Sequence, residues 1–412
     1  MARQRVVGKP GGGQEAAPPE PAHHMRTRAK ILTAGVASLA AIAAAAPGLA
    51  LASRAADSTK TVPAPHTPTV TVIASGLNNP HGLAFDGDGH LWVAEAGTGG
   101  RECLPTPGAP TNPTCFGTTG SIGKIDDGKV NRVFTGLVSH AAQDGSSAEG
   151  ASGISIRGDH LYTVFGDSDF VVPQGLSPDL STQAFDQVGR LMRGGIEGDH
   201  ALVSVANVGA FDFAWSNQHK SINPQYPDAN PYVVLARPHV TYVVDAGSNT
   251  LDSIDDHGKI TILAVFPKPI SGISDAVPTC VARGEDGALY IGQLTGVGNN
   301  GTAADVFRFT PKNGLTVWQT GFSAITGCGF GSDGAFYVTE FDKVGFPPSG
   351  PPGGDVIRIA ENGTRTVLGA GKLFFPNGFA AGPDGAIYVS NWSILPGTAP
   401  SGMPTGQVVR IG

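Results

Sequence analysis

From Asn79 the chain reads "NPHGLAFDGDGHLWVAEAG": an apolar run, a turn of small and acidic residues, and a second apolar run that stops on Glu95. Apolar and polar positions alternate with the two-residue period of a strand, and Asp-Gly tolerates the positive φ of a tight hairpin. The unit recurs from Gly150, Asn230, Ala276, Ala324 and Phe375, and four of the six copies keep Asp-Gly at the turn. A second pair of strands follows each copy, as in "GSIGKIDDGKVNRVFTGL" and "DVIRIAENGTRTVLGAG". The sixth copy has one strand, "GQVVRIG", before Gly412. Its missing partner stands ahead of the first copy, where "TVTVIASGL", Thr69 to Leu77, matches the last strand of the other units.

Internal repetition decides the fold. A ring of four-stranded sheets must close, because an open edge invites pairing with other chains. The pattern predicts an all-β fold over 69–412, a six-bladed β-propeller whose last blade is completed by the N-terminal strand. A twelve-hairpin open sandwich is the alternative. The Trp-Asp and Gly-Gly signatures of WD-repeat and kelch blades are absent. Asp86-Gly87-Asp88-Gly89 invites a calcium reading, but an EF-hand loop needs Glu at its twelfth position and Glu95 falls short of it. The run reads as a turn.

The 412 residues include 59 Gly and 32 Pro, which favours many turns and few long helices. Residues 1–52 stand apart as an N-terminal extension plus signal peptide. "MRTRAK" from Met25 is basic, Ile31 to Ala52 is apolar and uncharged, and Ala50-Leu51-Ala52 is a small-x-small cleavage pattern. The alternative is an uncleaved anchor, although Pro47 and Gly48 interrupt the run. Met25 reads as the true start, and 53–68 as a Pro/Thr-rich linker. Removing 1–52 takes away six Lys/Arg and two Asp/Glu, so the formal charge moves from −7 to −11. An acidic chain without a basic cluster is a poor nucleic-acid binder. The expectation is a secreted, extracellular monomer, free of the membrane after signal cleavage.

In a propeller the innermost strand starts on the face where the second strand ends. The Asp-Gly turns lie on the other face. The long insertions, Gly97–Thr118, Gly166–Asp186, Gly209–Asn230, Asp342–Gly354 and Ser393–Thr405, therefore all fall on the face opposite those turns. Rigid scaffolds build binding sites from such loops. Two sets of repeat-equivalent positions point to the channel mouth there. His81, Ser152, Tyr232, Thr279, Thr326 and Asn377 start the innermost strands. Glu95, Phe165, Asp245, Gln293, Glu340 and Asn391 end the second strands. Nearly all are polar, which suggests a ligand site made of His81, Glu95, Tyr232, Asp245, Gln293, Glu340, Asn377 and Asn391. An oxygen-rich cup suits Ca²⁺ or Mg²⁺, and His81 would admit Zn²⁺. The bland reading is a wet polar funnel with no specific ligand. No catalytic residue can be assigned: there is no G-x-S-x-G elbow, H-E-x-x-H, Cys-x-x-Cys or phosphate loop.

The four cysteines of an exported chain suggest two disulfides. Cys103 and Cys115 bracket a Pro-rich insertion and would staple it. Cys280 and Cys328 sit in neighbouring innermost strands, one step out of register, and either bridge two blades or remain buried thiols.

The runs "EAGTGGREC…CFGTTGSIGKID", "NPYVVLARPHVTYVVDAG", "PTCVARGEDGALYIGQLTG" and "GFGSDGAFYVTEF" resemble the ScyD/ScyE family of secreted bacterial propellers. The likeness runs from about Val70 to Gly412. More distantly the blades resemble NHL repeats and the senescence-marker/gluconolactonase propellers. Two departures stand out: "GVGNNGTAAD" replaces a Phe/Pro-rich loop, and Cys280 and Cys328 stand where the family has small or apolar residues. The ScyD/ScyE resemblance implies fold and export but no settled activity. The gluconolactonase-like one implies a divalent metal at the mouth, and Glu95, Asp245, Asn377 and Asn391 are of the right type. The expected functions are binding of a small molecule, glycan or secreted protein without chemistry, metal-dependent hydrolysis of lactones or esters, or a scaffold in a secreted biosynthetic pathway.

Overall fold

The computed structural model describes residues 68–412 except 107–108, 168–171, 199, 224, 268–274, 297–300, 346–352 and 400–401. The expected signal peptide and most of the linker lie outside these residues. Six antiparallel sheets form a ring, and the order of inter-blade contacts follows the chain. The innermost strands are Pro80–Phe85, Ala151–Arg157, Pro231–Arg237, Pro278–Arg283, Ile325–Phe330 and Phe379–Ala381. The second strands are Leu91–Glu95, His160–Phe165, Val240–Asp245, Leu289–Gln293, Phe336–Glu340 and Ile387–Asn391. Blades 1 to 6 are numbered in this order. In blade 6, Val70–Leu77 pairs with Gly406–Ile411, so the N-terminal strand completes the last sheet as the repeat predicts. Thr69 and Gly412 exchange both backbone hydrogen bonds at 3.2 Å.

The sheet faces pack blade against blade. Trp92, Ile122 and Phe134 of blade 1 meet Ile154, Leu161 and Phe165 of blade 2 in one buried cluster. Burying each such side chain contributes roughly 2–3 kcal/mol. Near the axis the innermost strands come too close for side chains. A Cβ on Gly82 would lie 2.7 Å from the Ser152 carbonyl oxygen, and one on Gly153 would lie 2.6 Å from Val233 Cα. The polar-Gly dipeptides that open these strands are thus a packing requirement.

The Asp-Gly turns do more than reverse the chain. Gly89, Gly287, Gly334 and Gly385 take φ between +74° and +84°, as tight hairpins require. The aspartate before each of the last three glycines also accepts the hydroxyl of a tyrosine four residues on and a third-strand arginine. These sets are Asp286–Tyr290–Arg308, Asp333–Tyr337–Arg358 and Asp384–Tyr388–Arg410. Blade 1 uses Asp86 with the Trp92 indole N–H at 2.9 Å. In these four blades the turn is tied in this way to the blade's own third or second strand.

Three expected loops contain regular structure. Gly97–Thr118 holds a hairpin in which Glu102–Thr106 pairs with the long strand Ala109–Asp126, and Cys103 opposes Cys115. Lys129–Ala142 pairs with the same strand along its whole length. Helix α1 (Pro178–Gln187) follows the second strand of blade 2, and helix α2 (Val208–Gln218) follows its outer strand. Both disulfides are formed, Cys103–Cys115 within this hairpin and Cys280–Cys328 between blades 4 and 5. Among the described residues no helix is long and apolar enough to cross a membrane.

Candidate functional site

The axial channel encloses about 360 Å³ and is lined only by the six innermost strands. His81, Ser152, Tyr232, Thr279, Thr326 and Asn377 form one tier at its loop-face end. None of the six is more than 8% exposed. Tyr232 belongs to blade 3 and Asn377 to blade 6, which stand opposite each other in the ring. The Tyr232 hydroxyl donates to Asn377 Oδ1 at 3.1 Å, and Asn377 Nδ2 donates back at 2.9 Å. This bridge crosses the channel. The Tyr232 ring also belongs to an apolar cluster with Ala246, Leu294, Phe341, Phe375 and Ile394, gathered from blades 3 to 6 above the tier. Together they close the loop-face end.

Toward the turn face the wall becomes apolar, with Leu83, Ile154, Leu235, Val281, Phe330 and Phe379. Phe85, Ile156, Leu235, Phe330 and Ala381 are partly exposed at that end. The channel is therefore a blind pocket with a polar floor, opening on the face opposite the long loops.

The floor is neutral. Burial lowers the His81 pKa to about 4, so its imidazole is uncharged at neutral pH. Its Nδ1 is buried without a hydrogen-bond partner. Thr279 Oγ1 donates to the Ile325 carbonyl at 2.5 Å and Thr326 Oγ1 to that of Pro376 at 2.9 Å, which ties neighbouring blades. Burial raises the Tyr232 phenol, which stays protonated.

The second-strand ends do not reach the channel. Side chains of a second strand point to the two faces of its blade, toward neighbouring blades and not toward the axis. Four of them fold back on the backbone that enters the innermost strand. Glu95 Oε2 accepts the Asn78 N–H at 2.8 Å, and Asp245 Oδ1 that of Asn230 at 2.7 Å. Glu340 Oε1 accepts the Ser323 N–H at 2.8 Å, and Asn391 Oδ1 that of Phe374 at 2.6 Å. Glu95 also takes a two-point ion pair from Arg132, with both contacts at 2.8 Å. Gln293 Nε2 reaches the Ala303 carbonyl. Of the eight proposed ligand residues, His81, Tyr232 and Asn377 come together in the channel tier. Glu95, Asp245, Gln293, Glu340 and Asn391 are dispersed around the ring. The four proposed metal ligands, Glu95, Asp245, Asn377 and Asn391, are spread over blades 1, 3 and 6. Among the described residues no group of three or more His, Cys, Asp or Glu is arranged to hold a metal ion.

Two clusters escaped the sequence reading because their members come from different elements. Asp212 on α2 meets Asp245 and Asp252 of blade 3, all fully buried, and Thr250 Oγ1 donates to Asp252 Oδ2 at 2.8 Å. Burial raises all three, neighbouring carboxylate charge adds to the rise at Asp212 and Asp252, and Asp252 is pushed up to about 8. Raised carboxyl pKa values mean that the folded state binds protons which the unfolded chain releases above about pH 4. The cluster's stabilisation is complete at acid pH and is lost as pH rises through 8. Asp212→Asn is expected to narrow the drop in melting temperature between pH 6 and pH 9, measured by calorimetry. The second cluster is His140, Glu149 and Asp167 on the loop face.

No family model and no curated protein matches this chain. It is similar to solved structures. One is a structural-genomics protein of unknown function from Bacteroides thetaiotaomicron, with 11% identity, TM-score 0.50, and coverage of 84% of this chain and 76% of that one. A putative gluconolactonase matches at 11% identity and TM-score 0.46, covering 84% and 92%. A virginiamycin B lyase from Staphylococcus aureus matches at 15% and 0.41, covering 79% and 83%. Identities this low bear on the fold alone.

Proposed function

We propose that this is an exported binding propeller that holds a small, neutral, amphiphilic molecule in its axial channel. The observation that carries this reading is the Tyr232–Asn377 bridge, which turns the channel into a blind pocket. The floor offers hydroxyl, amide and neutral imidazole groups, and the wall above it is aliphatic and aromatic. A neutral head with hydroxyl or amide groups would pair with the orphaned His81 Nδ1 and compete for Tyr232 and Asn377. An aryl or alkyl body would lie along the wall and point to the turn face. A charged head would be desolvated with no counter-charge, at a cost of several kcal/mol. A metal-dependent hydrolase reading finds no convergent ligand set among the described residues. The ScyD/ScyE resemblance and the two disulfides support export to an oxidising compartment.

The test is calorimetric titration with phenyl β-glucoside as a neutral probe, and with benzoate and benzylammonium as charged controls. The neutral probe is expected to bind and the charged ones not. Tyr232→Phe keeps the ring but loses the hydroxyl, and should weaken the probe about tenfold, the worth of one net hydrogen bond. Equal binding of all three compounds, or no effect of Tyr232→Phe on a folded protein, contradicts the proposal.

A further inference from the structure

The loop face carries a group of side chains that the channel does not use. His140 and Glu149 are a hydrogen-bonded cross-strand pair: each backbone N–H donates to the other's carbonyl, at 2.9 and 2.8 Å. Such a pair sends both side chains to the same side. Asp167, just past the second strand of blade 2, meets the ring there, with His140 Nε2 2.7 Å from Asp167 Oδ2. Its backbone sits at φ +62°, which its N–H bond to Asn230 Oδ1 at 2.9 Å helps to hold. Phe116, beside the Cys103–Cys115 staple, stacks on the His140 ring at 5.2 Å. Glu149 is 8% exposed, and its Oε2 has no hydrogen-bond partner. It faces Gly166, where a Cβ would sit only 2.9 Å away.

The charges do not balance. Protonated His140 neutralises Asp167 and leaves Glu149 over. Among the described residues no Lys or Arg pairs with either carboxylate, and Asp228 adds acid on the Asp167 side. The Tyr232 phenol, on the Glu149 side, brings no positive charge. A buried carboxylate without a partner takes up a proton or a cation. The His140 and Asp167 side chains are 20% and 22% exposed, so solvent reaches the group from the loop face. We propose that Glu149, Asp167 and His140 form a second binding site, separate from the channel, for the ammonium group of a small amine. One orphaned acceptor, one surplus negative charge and an adjacent aromatic ring match a monovalent N–H donor. A divalent metal fits less well, because the imidazole Nε2 is spent on Asp167 and the three groups do not converge on one point.

The empty site holds a proton instead. Burial first, and then the Asp167 charge, raises Glu149 to about 8, and the nearby imidazole opposes the shift. Burial pulls His140 down, but the hydrogen bond and charge of Asp167, with the charge of Glu149, bring it above its ordinary value. Amine binding must therefore expel the Glu149 proton.

The test titrates the protein with ethylammonium at pH 7 in two buffers of different ionisation enthalpy. The expected result is net proton release on amine binding, and an apparent affinity at least about tenfold tighter at pH 8 than at pH 6. Ethanol should not bind. Glu149→Gln should bind weakly and without pH dependence, with its fold checked by the amide spectrum. The wild-type proton count stands even where that variant misfolds. No proton release, equal affinity at pH 6 and 8, or tighter binding of Ca²⁺ than of the amine overturns the proposal.

Discussion

Arg132→Met is expected to destabilise the protein by about 3 kcal/mol, or on the order of 4 °C in melting temperature for a domain of this size. Glu95 is fully buried, and its carboxylate is held at both oxygens by the Arg132 guanidinium. Removing the arginine leaves a buried charge with only the Asn78 N–H and the Ser121 hydroxyl. Those two bonds, and the 38% exposure of Arg132, place the expected loss at the low end for a broken buried pair. Glu95→Gln with Arg132→Met should recover part of it, because a neutral amide keeps an acceptor for the Asn78 N–H. A double-mutant cycle by chemical denaturation measures the coupling. Additive single losses would mean that the pair does no structural work.

Replacing Cys280 and Cys328 together by serine is expected to cost about 4 kcal/mol in the chain-entropy account of a closed loop. The bridge spans 48 residues and joins the innermost strands of blades 4 and 5. Cys280 stands at the position that Gly82, Gly153, Gly327 and Gly378 occupy in four other blades. There the close approach of two strands, which elsewhere demands glycine, admits a covalent link. The double serine variant should melt several degrees lower and keep a channel of the same shape, read by unchanged binding of the neutral probe. Opening Cys103–Cys115 should cost less, since its ends are already paired in a hairpin.

The repeat made the architecture legible. The recurring pair of alternating strands, four times around an Asp-Gly turn, marked six hairpins, and the orphan strand at Thr69–Leu77 showed how the ring closes. The site was half legible. Position in the repeat places His81, Tyr232 and Asn377 in one tier, because the start of an innermost strand lies beside the axis. The same logic failed for Glu95, Asp245, Glu340 and Asn391. Strand endings tell which face a residue is near, but not whether its side chain turns to the axis or to a backbone N–H beside it. A polar residue ending a second strand, 15 to 17 residues after an entry N–H, reads in hindsight as a cap in four of the six blades. The closed loop-face end was not legible either, since the seal needs Tyr232 to reach the opposite blade. His140, Glu149 and Asp167 are scattered in sequence and only the ring assembles them.

The claim on which the functional reading rests is that ligands enter from the Asp-Gly turn face. All four native cysteines are in disulfides, so Ala381→Cys adds a single thiol at that opening. The decisive measurement is probe binding before and after complete labelling of this thiol with a bulky maleimide. The account predicts that labelling abolishes binding of phenyl β-glucoside while the melting temperature is unchanged. Full binding by the labelled protein would show that the ligand enters elsewhere and would contradict the blind channel.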